Sequence, residues 1–138
     1  MKVKAIATLG RNLSTKSLKA FHNPEENFQL KVNDIYTVYG INVWGDIVHY
    51  LTLDESNTTP SWNPAELFEI IDNKLPTEWY FKFYGYEAKN TDSVYAVWGY
   101  KELALDLEHY FQLINIVPAA VAIFNKRKNE IDRFHDTA

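Results

Sequence analysis

The chain has 138 residues, a formal net charge of −4, an aromatic share of 15% and no cysteine. The missing thiols exclude cysteine nucleophiles, Cys-based metal sites and a disulfide scaffold. The mild acidic excess argues against a nucleic-acid footprint, which needs a basic face. The length fits one domain, burying about two thirds of its unfolded surface and folding without metal or disulfide support.

Val3 to Thr8 reads as a first strand, short and β-branched, stopping at Leu9-Gly10-Arg11. Lys2 and Lys4 are followed by too short an apolar stretch for a signal peptide. No apolar run approaches the roughly 18 residues of a membrane helix. A cytoplasmic location is therefore expected, in keeping with the absent cysteines. Residues 10–27 are polar and read as a long loop pinned by Leu13, Leu18 and Phe21, with His22-Asn23-Pro24 as a turn. Phe28 to Tyr39 alternates and changes phase at Asn33-Asp34, which gives two short strands meeting at a bend. Gly40 to Gly45 reads as a connection. Asp46 to Leu53 is a strand with Ile47, His49, Leu51 and Leu53 on one face and Val48, Tyr50 and Thr52 on the other. Asp54 to Thr59 is a polar hairpin loop, and Pro64 precedes a single helical turn and a strand over Leu67 to Ile71.

Asn73 to Pro76 is a turn. Trp79 to Tyr86 is aromatic at nearly every position, the pattern of a strand covered on both faces. Trp79, Phe81 and Phe83 share the face expected in the core. Tyr80, Tyr84 and Tyr86 share the other, which either packs under helices or meets a partner. Glu87 to Asp92 is a loop, and Val94 to Trp98 returns as the partner strand, extended or followed by Glu102 to Leu105. The tail then takes a helical period. Asp106 is an N-cap, Leu107, Tyr110, Phe111 and Ile114 form a stripe, and Pro118 opens a second helix through Val121, Phe124, Lys128 and Ile131.

The segments Phe28-Gln29-Leu30-Lys31-Val32-Asn33-Asp34-Ile35-Tyr36-Thr37-Val38 and Pro64-Ala65-Glu66-Leu67-Phe68-Glu69-Ile70-Ile71 give residues 3–72 a form similar to an SH3-like barrel. Peptide-binding SH3 domains line a polyproline groove with tyrosines. Here Thr8-Leu9-Gly10 lacks the first set and Leu67 stands where the last is expected. The whole chain resembles small bacterial immunity proteins of polymorphic or contact-dependent inhibition toxin systems: small, acidic, cysteine-free and aromatic-rich, with a β-domain and a helical tail. Tyr36-Thr37-Val38-Tyr39-Gly40 and Pro64-Ala65-Glu66-Leu67-Phe68 carry that flavour.

No catalytic cluster emerges. His109 lies three residues after Asp106 on one helix face and lacks a third ligand for a metal, so it reads as a solvent-facing or capping residue. His49 reads as a partly buried structural residue, and His22 and His135 have no evident partner. Asp54-Glu55 reads as a solvated turn, and Lys126-Arg127-Lys128 as a solvated helix face. No GxSxG, HExxH or phosphate-cradling loop occurs.

The expected architecture is α+β: an SH3-like β-barrel at 3–72, an added aromatic β-hairpin at 78–105 and two C-terminal helices within 106–135, all in one domain. The expected function is non-enzymatic, with no cofactor and no metal: binding and neutralising a cognate, basic protein toxin by covering its active site. The candidate contact residues are Trp44, Asp46, Asp54, Glu55, Trp62, Glu87 and Asp92, acidic and aromatic positions assigned to loops. Membrane and nucleic acid are not expected partners. An SH3-like module for peptide or nucleic acid, or a small-ligand protein with a pocket between barrel and helices, are the alternatives.

Overall fold

The computed structural model describes residues 1–20, 22–87 and 93–137. The chain is α+β, built on two antiparallel sheets. The first has the order β2-β1-β6, where β1 is Lys2–Ala5, β2 is Ile35–Thr37 and β6 is Phe68–Asp72. The second has the order β5-β4-β3-β8-β7, where β3 is Gly40–Trp44, β4 is Ile47–Leu53, β5 is Pro60–Pro64, β7 is Tyr80–Phe83 and β8 is Val94–Gly99. A 3₁₀ turn, Ala65–Leu67, carries the chain from β5 into β6. Both sheets are open, so the described strands do not form the expected closed barrel.

The hairpin at 78–105 is no appendage. β8 pairs with β3 as well as β7, with Ile41 opposite Trp98 and Val43 opposite Ala96, so the late strands widen the sheet started by the early ones. That pairing also makes a strand of Gly40 to Trp44, where a connection was expected: two neighbours satisfy its backbone from both sides. By contrast, the first half of the expected pair at 28–39 forms no strand. Phe28 and Leu30 are buried, but Gln29 and Asn33 take positive φ values of 60° and 76°, which break a ladder. The loop at 10–27 contains a 3₁₀ turn, Gly10–Asn12, and a short helix, α1, Thr15–Ala20. Leu13 pins it as expected, while Phe21 lies outside the described residues.

The tail holds α2 (Lys101–Leu105), α3 (Leu107–Ile114) and α4 (Pro118–Thr137). Glu102 to Leu105 thus joins the helices rather than β8. Asp106 caps α3 as expected, its carboxylate accepting from the backbone N–H groups of Glu108 and His109. Pro118 opens α4. α2 sits close on the sheet because β3 and β8 place Gly40 opposite Gly99 there: a Cβ on Gly99 would lie 2.7 Å from Leu103 Cδ2. No single described helix is long and apolar enough to cross a membrane.

Two hydrophobic clusters flank the five-stranded sheet. One joins Leu51, Leu53 and Val97 to Leu103, Tyr110, Leu113 and Phe124 beneath the helices. The other joins Tyr50 and Ile41 to Val3, Leu30, Leu67 and Phe68 of the three-stranded side.

Candidate functional site

Opposite residues of antiparallel strands point to the same face. One row therefore runs Phe81, Trp98, Ile41, Tyr50, and the next Phe83, Ala96, Val43, Val48. The second cluster covers only the Ile41 and Tyr50 end of these rows. At the β7 end Phe81 and Phe83 are each 52% exposed, and at the β4 end of the second row Val48 is 40% exposed. Phe81 lies 4.5 Å from Trp98 between ring centroids, and Tyr86, 72% exposed, bridges Phe83 at 5.1 Å and Tyr95 at 5.2 Å. None of the residues in the two rows is charged.

This reverses the expectation for β7. The Phe81 and Phe83 face was assigned to the core and is open, although Trp79 beside it packs on the second cluster. On the other face Tyr84 packs under the helices, its hydroxyl donating to the Ala104 carbonyl at 2.6 Å, while Tyr80 is exposed and Tyr86 has turned to Phe83. The physical reason is position. β7 is an edge strand, so no neighbour extends either cluster beneath Phe81 and Phe83. Phe81, Phe83 and Tyr86 alone leave on the order of 350 Å² of ring surface open, comparable to the largest apolar patch of an ordinary monomer.

Acidic groups stand at one end of this face. Asp46 is exposed in the β3–β4 turn, and the Gly45 N–H donates to the Ser93 carbonyl at 2.9 Å, which holds that turn beside the start of β8. Glu87 is exposed directly after Tyr86, at the same end. The other expected contacts lie elsewhere. Asp54 and Glu55 follow the far end of β4, roughly 25 Å from Asp46 at about 3.3 Å per residue. The Asp54 carboxylate is occupied in its own loop, accepting from the Thr58 and Thr59 N–H groups. Trp44 and Trp62 are on strands rather than in loops, and both line a cavity on the helix-covered face. Asp92 lies outside the described residues.

The same covered face holds histidine pairings that spacing in the sequence did not reveal. The His22 ring meets Glu26 Oε1 through Nδ1 at 3.1 Å and His49 Nε2 through Nε2 at 3.0 Å, and His49 Nδ1 meets the Ile47 carbonyl at 3.1 Å. The Ile47 carbonyl only accepts, so His49 Nδ1 carries a hydrogen. Burial, with His22 alongside, pushes the pKa of His49 down to about 4, so that ring is neutral and its Nε2 stands as an acceptor toward His22. All four ring nitrogens are engaged, and the group acts as a clasp between the 22–26 loop and β4. Its partners are 27 residues apart in sequence, beyond any local pattern. His109 also departs from expectation: it is buried, with Nε2 2.7 Å from the Tyr100 hydroxyl. Among the described residues no three His, Cys, Asp or Glu side chains group as metal ligands.

No family model, curated protein or solved structure matches the chain.

Proposed function

We propose that this chain is a binding protein that docks a protein partner on its open aromatic sheet face. The single observation that carries the reading is the uncharged patch of Phe81, Trp98, Phe83 and Val43, from two adjacent rows, standing half-open beside the acidic residues Asp46 and Glu87. Aromatic centres dominate interface energetics, and a charged rim sets orientation and on-rate. An acidic rim on an acidic chain selects a basic partner. In its specific form the reading is an immunity protein that covers the active site of a cognate toxin domain in the cytoplasm. The engaged ring nitrogens of the His22–His49 clasp favour binding over catalysis, since the clasp offers no free base.

The strand connectivity supports an SH3-like reading of the first half. β1 pairs with both β2 and β6, β3 to β5 form a meander, and a 3₁₀ turn links β5 to β6. Fold by itself assigns no function.

The test is affinity capture from source-cell lysate with the wild type and a Phe81→Glu, Phe83→Glu double variant, followed by growth assays with the captured partner expressed alone or with the chain. A stoichiometric basic partner is expected, toxic alone, suppressed by the wild type and missed by the variant. A partner that the variant retains rejects the docking face. A captured partner with no toxicity rejects the immunity form.

A further inference from the structure

The five-stranded sheet ends in two edge strands, β5 and β7. In an antiparallel ladder every second residue turns its main-chain N–H and C=O toward the neighbour, and the residues between turn theirs outward. Beside β5 the Asp54 N–H donates to the Thr59 carbonyl, which fixes the alternation: the main-chain groups of Ser61 and Asn63 meet β4, and those of Pro60, Trp62 and Pro64 point outward. Two of these three lack an N–H, so that edge cannot continue a ladder. At β7 the Tyr84 N–H donates to the Tyr95 carbonyl at 2.7 Å, so the main-chain groups of Lys82 meet β8 and those of Phe81 and Phe83 point outward. All four residues of β7 are exposed, and the outward groups of both phenylalanines have no hydrogen-bond partner among the described residues.

Unpaired N–H and C=O groups in this arrangement are a template for a further strand. Two features say which strand. First, the Phe81 and Phe83 rings stand on the open aromatic face, so the residues opposite them on an added strand lie on that face too and are apolar. Second, Lys82 is the one charged residue of β7 and points to the other face. Among the described residues it has no carboxylate partner, only the Tyr84 ring 4.9 Å from its Nζ. A second copy paired about the middle of β7 would set lysine against lysine, which is destabilising, whereas an acidic residue opposite Lys82 is favourable.

We infer that β7 takes an added antiparallel strand from the protein partner, with an acidic residue opposite Lys82 and apolar residues on either side of it, opposite Phe83 and Phe81. This rests on the docking reading above and specifies how the partner engages. Main-chain bonds supply affinity, and the alternate side chains supply register and specificity.

The test is a ¹H–¹⁵N NMR titration of the full chain, labelled at phenylalanine, with the capped pentapeptide threonine-valine-glutamate-valine-threonine. The Phe81 and Phe83 amide peaks are assigned by their loss in Phe81→Leu and Phe83→Leu. Both should move saturably and exchange with solvent more slowly. N-methylation of the two valines, whose N–H groups meet β7, should abolish the shifts, and N-methylation of the glutamate, whose N–H points away, should keep them. A peptide with lysine in place of the glutamate should bind about fivefold more weakly, and Lys82→Glu, at an exposed position, should reverse that preference. Peaks that no peptide moves, equal effects of the two methylations, or a preference that Lys82→Glu leaves unchanged overturn the proposal. So do shifts that grow with chain concentration in the absence of peptide, which give the edge to a second copy. An inert peptide, beside a captured partner that the Phe81→Glu, Phe83→Glu variant misses, overturns the added strand and leaves the docking face standing.

Discussion

On one face of the five-stranded sheet Val97, Leu51 and His49 lie beneath the 22–26 loop, α2, α3 and α4, and on the other Phe81, Phe83 and Val48 stand in water. The two faces share a backbone and alternate residue by residue, yet they do different work. The covered face carries one of the two buried apolar clusters over most of its extent. The other face carries the second cluster only at its Ile41 and Tyr50 end, and the Phe81 and Phe83 end adds little to folding and is left for contact with something else.

The sharpest way to break this contrast is a truncation on each side. Tyr110 is fully buried and its hydroxyl accepts from the Asn42 amide at 2.8 Å, so Tyr110→Ala both empties a cavity and strands that amide. The expected loss is about 4 kcal/mol, read by urea unfolding. Phe83→Ala should cost no more than about 1 kcal/mol, because half of that ring is already solvated. Equal losses would mean that the open face is structural after all.

Acid should act on the covered face through His49. The folded pKa of His49 is about 4 against an ordinary 6.5, so between those values the unfolded chain holds a proton that the native state refuses. Stability present above pH 6.5 is therefore lost as pH falls toward 4. A drop of about 2 kcal/mol between pH 7 and pH 5 is expected from this group, at 1.4 kcal/mol per unit. Urea midpoints at the two pH values check it, and a flat profile would contradict the clasp. A smaller effect belongs to the clamp between α2 and α4. Arg127 grips both Glu102 oxygens at 2.8 and 2.9 Å, and those bonds, against a weaker cost of burial, bring the Glu102 carboxyl down to about 2. Both side chains are part-exposed, so solvent screening reduces the pair's worth. Glu102→Gln should cost about 1 kcal/mol by the same assay.

Local chemistry in the sequence was enough to place several elements. The alternation of Ile47 to Leu53, the Asp106 cap and the Pro118 start each depend on neighbours within a few residues, and each stands in the structure. What could not be read depends on distant pairing. Gly40 to Trp44 is a strand because β8 arrives from more than fifty residues away. His22 is a buried clasp residue because β4 brings His49 to it. Alternation along Tyr80 to Phe83 separates two faces but does not say which one a helix will cover; the close seat that Gly40 and Gly99 give Leu103 decides that. Of the expected contact residues, Trp44 and Trp62 were expected in loops, the first within the Gly40 to Gly45 connection, whereas both lie on strands and line a cavity. Asp46 and Glu87 lie at one end of the open face because the β3–β4 turn abuts the start of β8.

The finest comparison uses one substitution on both faces. Valine and threonine are nearly isosteric and both β-branched, so the exchange leaves volume and strand preference almost unchanged and tests the surroundings of a single hydroxyl. Val97 is fully buried in the row that meets Asn42 and His49, and a hydroxyl there loses water beneath α2. Val97→Thr should cost about 2 kcal/mol. Val48 stands in the Val43 row on the other side, 40% exposed, where the new hydroxyl keeps its water. Val48→Thr should change stability by less than about 0.5 kcal/mol. The same variant removes apolar surface at the margin of the proposed docking face, so it should weaken partner binding modestly while leaving the urea midpoint in place. If Val48→Thr shifted the midpoint as far as Val97→Thr, the division of labour between the two faces would fail.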